Sequence, residues 1–255
     1  MRITLQINKS IEQNAASYFD VSKKQKKKLA GAKKALVESL KKKGQAELQK
    51  PRKTEKKTPR KKEWYEKFRW FLTSDNILVI GGRDATTNEI IVKKHAEKDD
   101  FILHTDLQGS PFMVIKTAGK EIPQQSLEEA ACFTAASSRA WQFGRTGADV
   151  TIAKPEQVTK TAKAGEYVEK GAFIISGKTE HMFANITFAI GLFEGKVMGG
   201  PTSAISIHCK DIVEIEQGDE KLSDIAKKIK AKIGGELDEI IRAMPSGGCR
   251  LKRRR

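Results

Sequence analysis

Along residues 8–48 the less polar positions Ile11, Ala15, Tyr18, Ser22, Gln25, Leu29, Ala32, Leu36 and Ser39 alternate at spacings of four and three. That heptad rhythm predicts one long helix, in a stretch where Gly31 and Gly44 are the only breakers. Ser22, Gln25 and Ser39 make a poor seam, so the pattern suits a short coiled-coil arm or a helix lying on another surface. Residues 50–62 (KPRKTEKKTPRKK) have no large apolar group to bury and read as a flexible basic linker.

From Trp64 onward the pattern changes to short apolar runs between turns. Ile77–Gly81, Glu89–Lys93, Phe101–His104, Phe112–Lys116, Asp149–Ala153, Ala172–Ser176, Ile186–Ile190, Ala204–His208 and Ile212–Ile215 read as strands. A helix starts after Pro123, with Ser126 and Glu129 as an S-x-x-E capping box, and ends near Gly144. Leu127, Ala130, Ala131, Thr134, Ala135 and Ser138 give it a small-residue face that can approach a sheet closely. Two further helices, Lys221–Ile233 and Glu236–Met244, are stopped by Gly234-Gly235 and by Pro245 with Gly247-Gly248. The fold class is therefore α+β: a β-rich mixed domain with a central helix, preceded by a long basic helical arm. The expected organisation is arm 1–49, linker 50–62, domain 63–249 and basic tail 250–255.

Charge sharpens this division. The formal net charge of the 255 residues is +16. Residues 1–62 carry 20 Lys and Arg against 5 Asp and Glu, residues 63–249 carry 23 against 27, and the last six residues add five more cations. A near-neutral body with two cationic ends can bind phosphate by counterion release, although solvated tails would look the same. Lys26, Lys27 and Lys28 on the predicted helix are candidates for contacts along an RNA backbone. Cys132, Cys209 and Cys249 have no CxxC spacing, which fits a reducing compartment and gives no zinc finger. No apolar run approaches the roughly 20 residues of a membrane span and no signal-peptide pattern opens the chain, so a cytoplasmic location with no membrane partner is expected.

Four groupings are candidates for chemistry. The aromatic cluster Trp64, Tyr65, Phe68, Trp70 and Phe71 either stacks unpaired bases or docks a first helix on the sheet. Gly81-Gly82-Arg83-Asp84 reads either as a turn in which Arg83 grips phosphate with Asp84 beside it, or as a hairpin closed by an Arg–Asp pair. His104 and Asp106 share a strand face, but no nucleophile motif or metal-ligand cluster accompanies them, so a turn ordering a polar ligand surface is preferred to a hydrolase. Arg139, Trp141 and Arg145 close the central helix, either complementing its dipole or forming an exposed Arg–Trp patch for RNA. No P-loop or dinucleotide fingerprint is present. No catalytic residue, metal ligand or cofactor is assigned.

The runs Trp64–Phe71 (WYEKFRWF), Ile80–Ala85 (IGGRDA), Thr87-Asn88-Glu89, His104–Gly109 (HTDLQG) and Lys154–Val158 (KPEQV), in that order, resemble the NFACT-R domain. This is the RNA-binding domain of the NFACT family, which includes NEMF in eukaryotes, RqcH in bacteria and archaeal relatives. Asn14-Ala15 with Tyr18-Phe19, and Gly31–Ala35, resemble the start of the family's coiled-coil segment. The resemblance covers about residues 8–250 and is of the archaeal type. It implies ribosome-associated quality control: binding of blocked large ribosomal subunits, recruitment of tRNA and template-free tailing, with the ribosome making the bond. It carries over Arg83, Asp84, His104 and Asp106 as candidate surface residues. Full-length relatives begin with an NFACT-N domain and a helix-hairpin-helix module, whereas this chain opens at the coiled coil, so a separate chain supplying that domain is a possible partner. Family members often have H-x-D-x-H-G where Gln108 replaces the second His. The expected function is a non-enzymatic adaptor whose partners are tRNA and large-subunit RNA. The alternative is a stand-alone NFACT-R protein that delivers tRNA to a modification enzyme.

Overall fold

A computed structural model describes residues 4–8, 10–48, 62–107, 109–161 and 168–252. Most of the expected linker, Gln108 and Arg253–Arg255 lie outside the described residues. The chain divides into two units, residues 1–61 and 62–255.

In the first unit, helix α1 runs from Ile11 to Leu48. It begins with a reciprocal capping box: Gln13 N donates to Ser10 Oγ (3.2 Å) and Ser10 N to Gln13 Oε1 (3.1 Å). The preceding segment folds back along the first turns. Asn14 Oδ1 accepts from Gln6 N at 2.9 Å, and Asn14 Nδ2 donates to Gln6 O at 3.1 Å. The Tyr18 hydroxyl donates to Thr4 O (2.6 Å) and accepts from Thr4 N (3.0 Å). Along the heptad positions Ile11, Tyr18, Leu29 and Leu36 are exposed.

The second unit starts with a 3-10 turn at Trp64–Lys67, not a helix, and enters strand β1 (Arg69–Leu72). β2 (Leu78–Gly81), β3 (Phe101–Thr105), β4 (Met113–Ile115), β5 (Gly147–Ala153) and β8 (Glu180–Asn185) join it in an antiparallel sheet of order β1-β2-β4-β3-β5-β8. β6 (Val158–Thr159) pairs with β7 (Ile174–Ile175). β9 (Phe188–Phe193), β10 (Lys196–Gly200), β11 (Ile212–Glu220) and β12 (Cys249–Leu251) form a second sheet of order β10-β9-β11-β12. β12 takes Arg250 and Leu251 into that sheet, opposite Glu216 and Ile215.

Two expected strands are helical. Glu89–Lys93 belongs to helix α2 (Ala85–Ile90) and a π-helical turn, Ile91–His95. The reason is a cap: the Asp84 carboxylate accepts from Thr87 N at 2.8 Å and sets a helix start just upstream of the apolar run. Ala204–His208 lies in helix α5 (Thr202–His208), entered from Pro201.

The central helix is α3 (Gln124–Ser137), followed after a break at Ser138 by the single turn α4 (Arg139–Gln142). Ser126 and Glu129 do not cap it; they lie inside the helix and are buried. Ser126 Oγ donates to Asp75 Oδ2, and Glu129 accepts from Ser74 N and from the hydroxyls of Ser74 and Ser203. They tie α3 to the β1–β2 turn and α5. A chain of rings runs Phe71–Phe133–Phe188–Trp141 at centroid spacings of 4.7, 6.2 and 6.0 Å and joins the first sheet, α3, the second sheet and α4 into one core. Helices α6 (Leu222–Ile233) and α7 (Leu237–Ala243) cover the second sheet with Ile225, Ile229 and Ile240. Among the described residues no helix is long and apolar enough to cross a membrane.

Candidate nucleic-acid interface

Where β1, β2 and β3 end against α2 and the α3–α4 break, a cleft of ≈ 640 Å³ opens. Its lining includes Arg69, Arg83, His104, Ser137, Arg139 and Lys170. Arg69 sits at the start of β1, opposite Gly81, and is only 9% exposed. Its guanidinium donates to Met244 O (2.9 Å) and Ser246 Oγ (2.8 Å). Arg83 neither hangs free in a turn nor closes a hairpin with Asp84. It donates to the carbonyls of Lys67, Phe68 and Arg242 at 3.2, 2.8 and 2.6 Å. Neither arginine forms an ion pair with a carboxylate among the described residues. Burial lowers both to about 10, with the neighbouring charge of Arg69 adding to the effect at Arg83, so both stay cationic at neutral pH. Asp84, beside Arg83, is held below its ordinary value chiefly by the Thr87 backbone bond that makes it a cap.

The opposite wall is an aromatic stack. His104 lies flat on Phe112 (4.1 Å, 6°), and the edge of Phe173 meets Phe112 at 5.2 Å. The His104 Nδ1–H donates to Pro111 O at 3.1 Å, which leaves Nε2 as the ring's acceptor. Burial lowers the pKa of His104, so the ring is neutral at pH 7. Asp106 is exposed on the turn beyond and does not line the cleft. A strap at residues 169–173 forms the rim and is pinned to α2. Gly171 N donates to Glu89 Oε1 (3.1 Å), and Asn88 Nδ2 to Gly171 O (3.4 Å). Gly82 packs so tightly here that a Cβ would sit 1.7 Å from Asn88 Oδ1. Glu89 is drawn down to about 2 by Lys160, by the Gly171 N–H and by nearby cations.

The structure thus brings together Arg83, Asp84, His104 and Arg139 from the sequence candidates. It separates others. Trp141 is 2% exposed, with its ring against Phe188 and Nε1 donating to Gly248 O at 3.0 Å. The exposed Arg–Trp patch is therefore corrected: the indole is a core group, because β12 and β9 cover it. Arg145 is exposed, 5.8 Å from the ring of Phe143, and does not line the cleft. Lys26, Lys27 and Lys28 are exposed on α1, in the other unit. In the aromatic cluster Phe68, Trp70 and Phe71 are core, while Trp64 remains 46% exposed and stacks on His95 at 4.7 Å. Sequence reasoning missed Arg69, Ser137 and Lys170. The available signal for Arg69 was a cation inside an otherwise apolar strand; nothing local marks Ser137 or Lys170.

Three comparisons relate the chain to known proteins. Residues 67–177 match the family described as the NFACT protein RNA binding domain. The chain is 38% identical over 205 residues to the archaeal Rqc2 homolog aRqcH of Methanocaldococcus jannaschii, an alignment covering 77% of this chain and 30% of that protein. It is 39% identical over 170 residues to the human ribosome quality control complex subunit NEMF, covering 65% of this chain and 16% of that one. The chain thus spans less than a third of the length of these relatives. Among solved structures, the C-terminal part of the fibronectin/fibrinogen-binding protein of Streptococcus suis superposes with a TM-score of 0.41 at 16% identity, over 54% of this chain and 52% of that one. That likeness is too loose to bear on the site.

Proposed function

We propose, because residues 67–177 match the NFACT protein RNA binding domain, that the chain binds RNA in ribosome quality control as a non-enzymatic adaptor. Its partners in this reading are tRNA and the RNA of the large ribosomal subunit. One observation carries the reading: the matched span contains nearly all of the cationic cleft, from Arg69 through Arg83, His104 and Arg139 to Phe173. Buried guanidiniums without a carboxylate ion pair among the described residues favour an anionic ligand, and RNA supplies phosphate at every residue. His104 uses its Nδ1 proton on Pro111 O, and Asp106, whose charge reaches His104, makes no hydrogen bond to it among the described residues, which favours a ligand-facing turn over an acid–base couple. The exposed lysines of α1 add charge that can follow an RNA backbone without reading sequence. The relatives' role in ribosome quality control supplies the biological setting.

The test is crosslinking and sequencing of RNA bound in native cells, together with gradient sedimentation of the same lysate. Co-sedimentation with free large subunits, with crosslinks to tRNA and large-subunit RNA inside residues 69–173, is the expected result. Crosslinks to free tRNA alone, with the protein at the top of the gradient, would replace the ribosome by a tRNA-delivery role. No bound RNA at low salt would end the reading.

A further inference from the structure

Among the described residues, one buried side-chain oxygen on the cleft lining has no hydrogen-bond partner. It is Oγ of Ser137, a residue 8% exposed. Buried hydroxyls are ordinarily satisfied, so an orphan on a residue that lines a cleft points to a ligand that completes it after one turn about χ1. Arg69 and Arg83 line the same cleft, and their guanidiniums hold more N–H donors than the carbonyls and hydroxyl already named accept. Arg139 lies across the mouth, its Nε and Nη2 each 3.5 Å from where a Cβ on Gly109 would be. Lys170 lines the rim.

We propose that this cleft is a receptor for a terminal phosphate, taking the phosphorylated end of an RNA strand or a free nucleoside monophosphate. The reasoning is one of charge and exits. A phosphodiester carries one charge and two chain arms, both of which must leave the site. A monoester carries close to two charges at neutral pH and a single arm. The lining carries four cations, Arg69, Arg83, Arg139 and Lys170, against the carboxylates of Asp84 and Glu169, and this surplus of two positive charges matches the dianion better than the diester. A volume of ≈ 640 Å³ fits one nucleotide and not a duplex. The stacked pair His104–Phe112 and the half-buried Phe173 give the nucleoside an apolar wall, and His104 Nε2 gives it an acceptor.

The inference rests on the RNA reading only for the polymer that carries the phosphate, so the two are separable. Inorganic phosphate is titrated into the full chain at low salt, and backbone amide signals are followed by NMR. Signals of Gly109, Ser137 and Arg139 shifting together with saturation are expected. A 5′-phosphorylated oligonucleotide binds more tightly than its 5′-hydroxyl counterpart, and inorganic phosphate competes away the difference. Ser137→Ala and exposed Arg139→Gln each weaken phosphate on the order of tenfold. Ser137→Ala keeps or raises the Tm of the unliganded chain, since it removes an unsatisfied polar atom; that separates ligand loss from misfolding. Equal affinity for the two oligonucleotides, or phosphate binding untouched by both variants, overturns the proposal while leaving RNA binding intact. Phosphate that saturates the cleft of a chain binding no RNA supports the proposal and removes the RNA reading alone.

Discussion

Asp84 and His104 show at the residue scale how one position admits a structural and a ligand-facing role. Asp84 lines the cleft, yet its carboxylate is occupied by Thr87 N at the start of α2. Asp84→Asn keeps an acceptor and should leave stability within about 0.5 kcal/mol, whereas Asp84→Ala should cost about 1 kcal/mol in urea denaturation. A large loss from the Asn variant would show that the charge, and not the cap, is what matters. His104 gives a pH dependence. The folded chain holds His104 and His95 below the ordinary 6.5, in both cases chiefly by burial. The unfolded chain therefore binds more protons once the pH falls below 6.5; stability is full above that value and declines beneath it. The urea midpoint should drop between pH 7 and 5.5, with a shallower drop in His104→Gln. A midpoint constant across that window would contradict the depressed values. Of the residues in the cleft, Arg83, Asp84, His104 and Arg139 were legible because they sit in motifs rich in glycine and charge. Arg69 and Ser137 were not. Their place in the cleft depends on burial against Ser246 and on the α3–α4 break, which no local pattern encodes.

At the scale of elements, periodicity served long segments well and short ones poorly. The spacing of Ile11, Tyr18 and Leu29 over several turns marks α1, and Gly234-Gly235 marks the end of α6. Glu89–Lys93 and Ala204–His208 are too short for that, and their helices come from what precedes them: the Asp84 cap and Pro201. Ser126 and Glu129 mislead in the opposite direction. The sequence has the capping spacing, but Pro123 starts the helix earlier and turns both side chains inward to the β1–β2 turn. The cap at the start of α1 is testable. Asn14, 5% exposed, holds Gln6 by both its amide and its carbonyl. Asn14→Ala should release that segment, so hydrogen exchange at the Gln6 amide rises by an order of magnitude or more while amides past Leu29 stay as they were. Unchanged exchange at Gln6 would mean that Tyr18 and Thr4 suffice to hold it.

Charge is divided by unit at the scale of the whole molecule, and the division predicts how affinity responds to salt. Residues 1–61 carry 19 of the 48 cations against 5 of the 32 acidic groups, whereas the unit that contains the cleft is nearly neutral overall. The two units would then contribute different physics: the arm screened, sequence-blind attraction, the cleft a localised grip with partly buried partners. Removing residues 1–61 should flatten the plot of log affinity against log salt by about 0.7 for each phosphate of a single-stranded RNA that the arm neutralises. It should not remove the preference for a 5′-phosphorylated end, because Arg69, Arg83, Ser137 and Arg139 all remain in residues 62–255. Circular dichroism of the shortened chain guards against a trivial loss. A slope that is unchanged without the arm would assign its lysines to something other than phosphate, such as the surface of a protein partner. Loss of the end preference together with the slope would place the phosphate receptor in the arm and leave the cleft without a ligand.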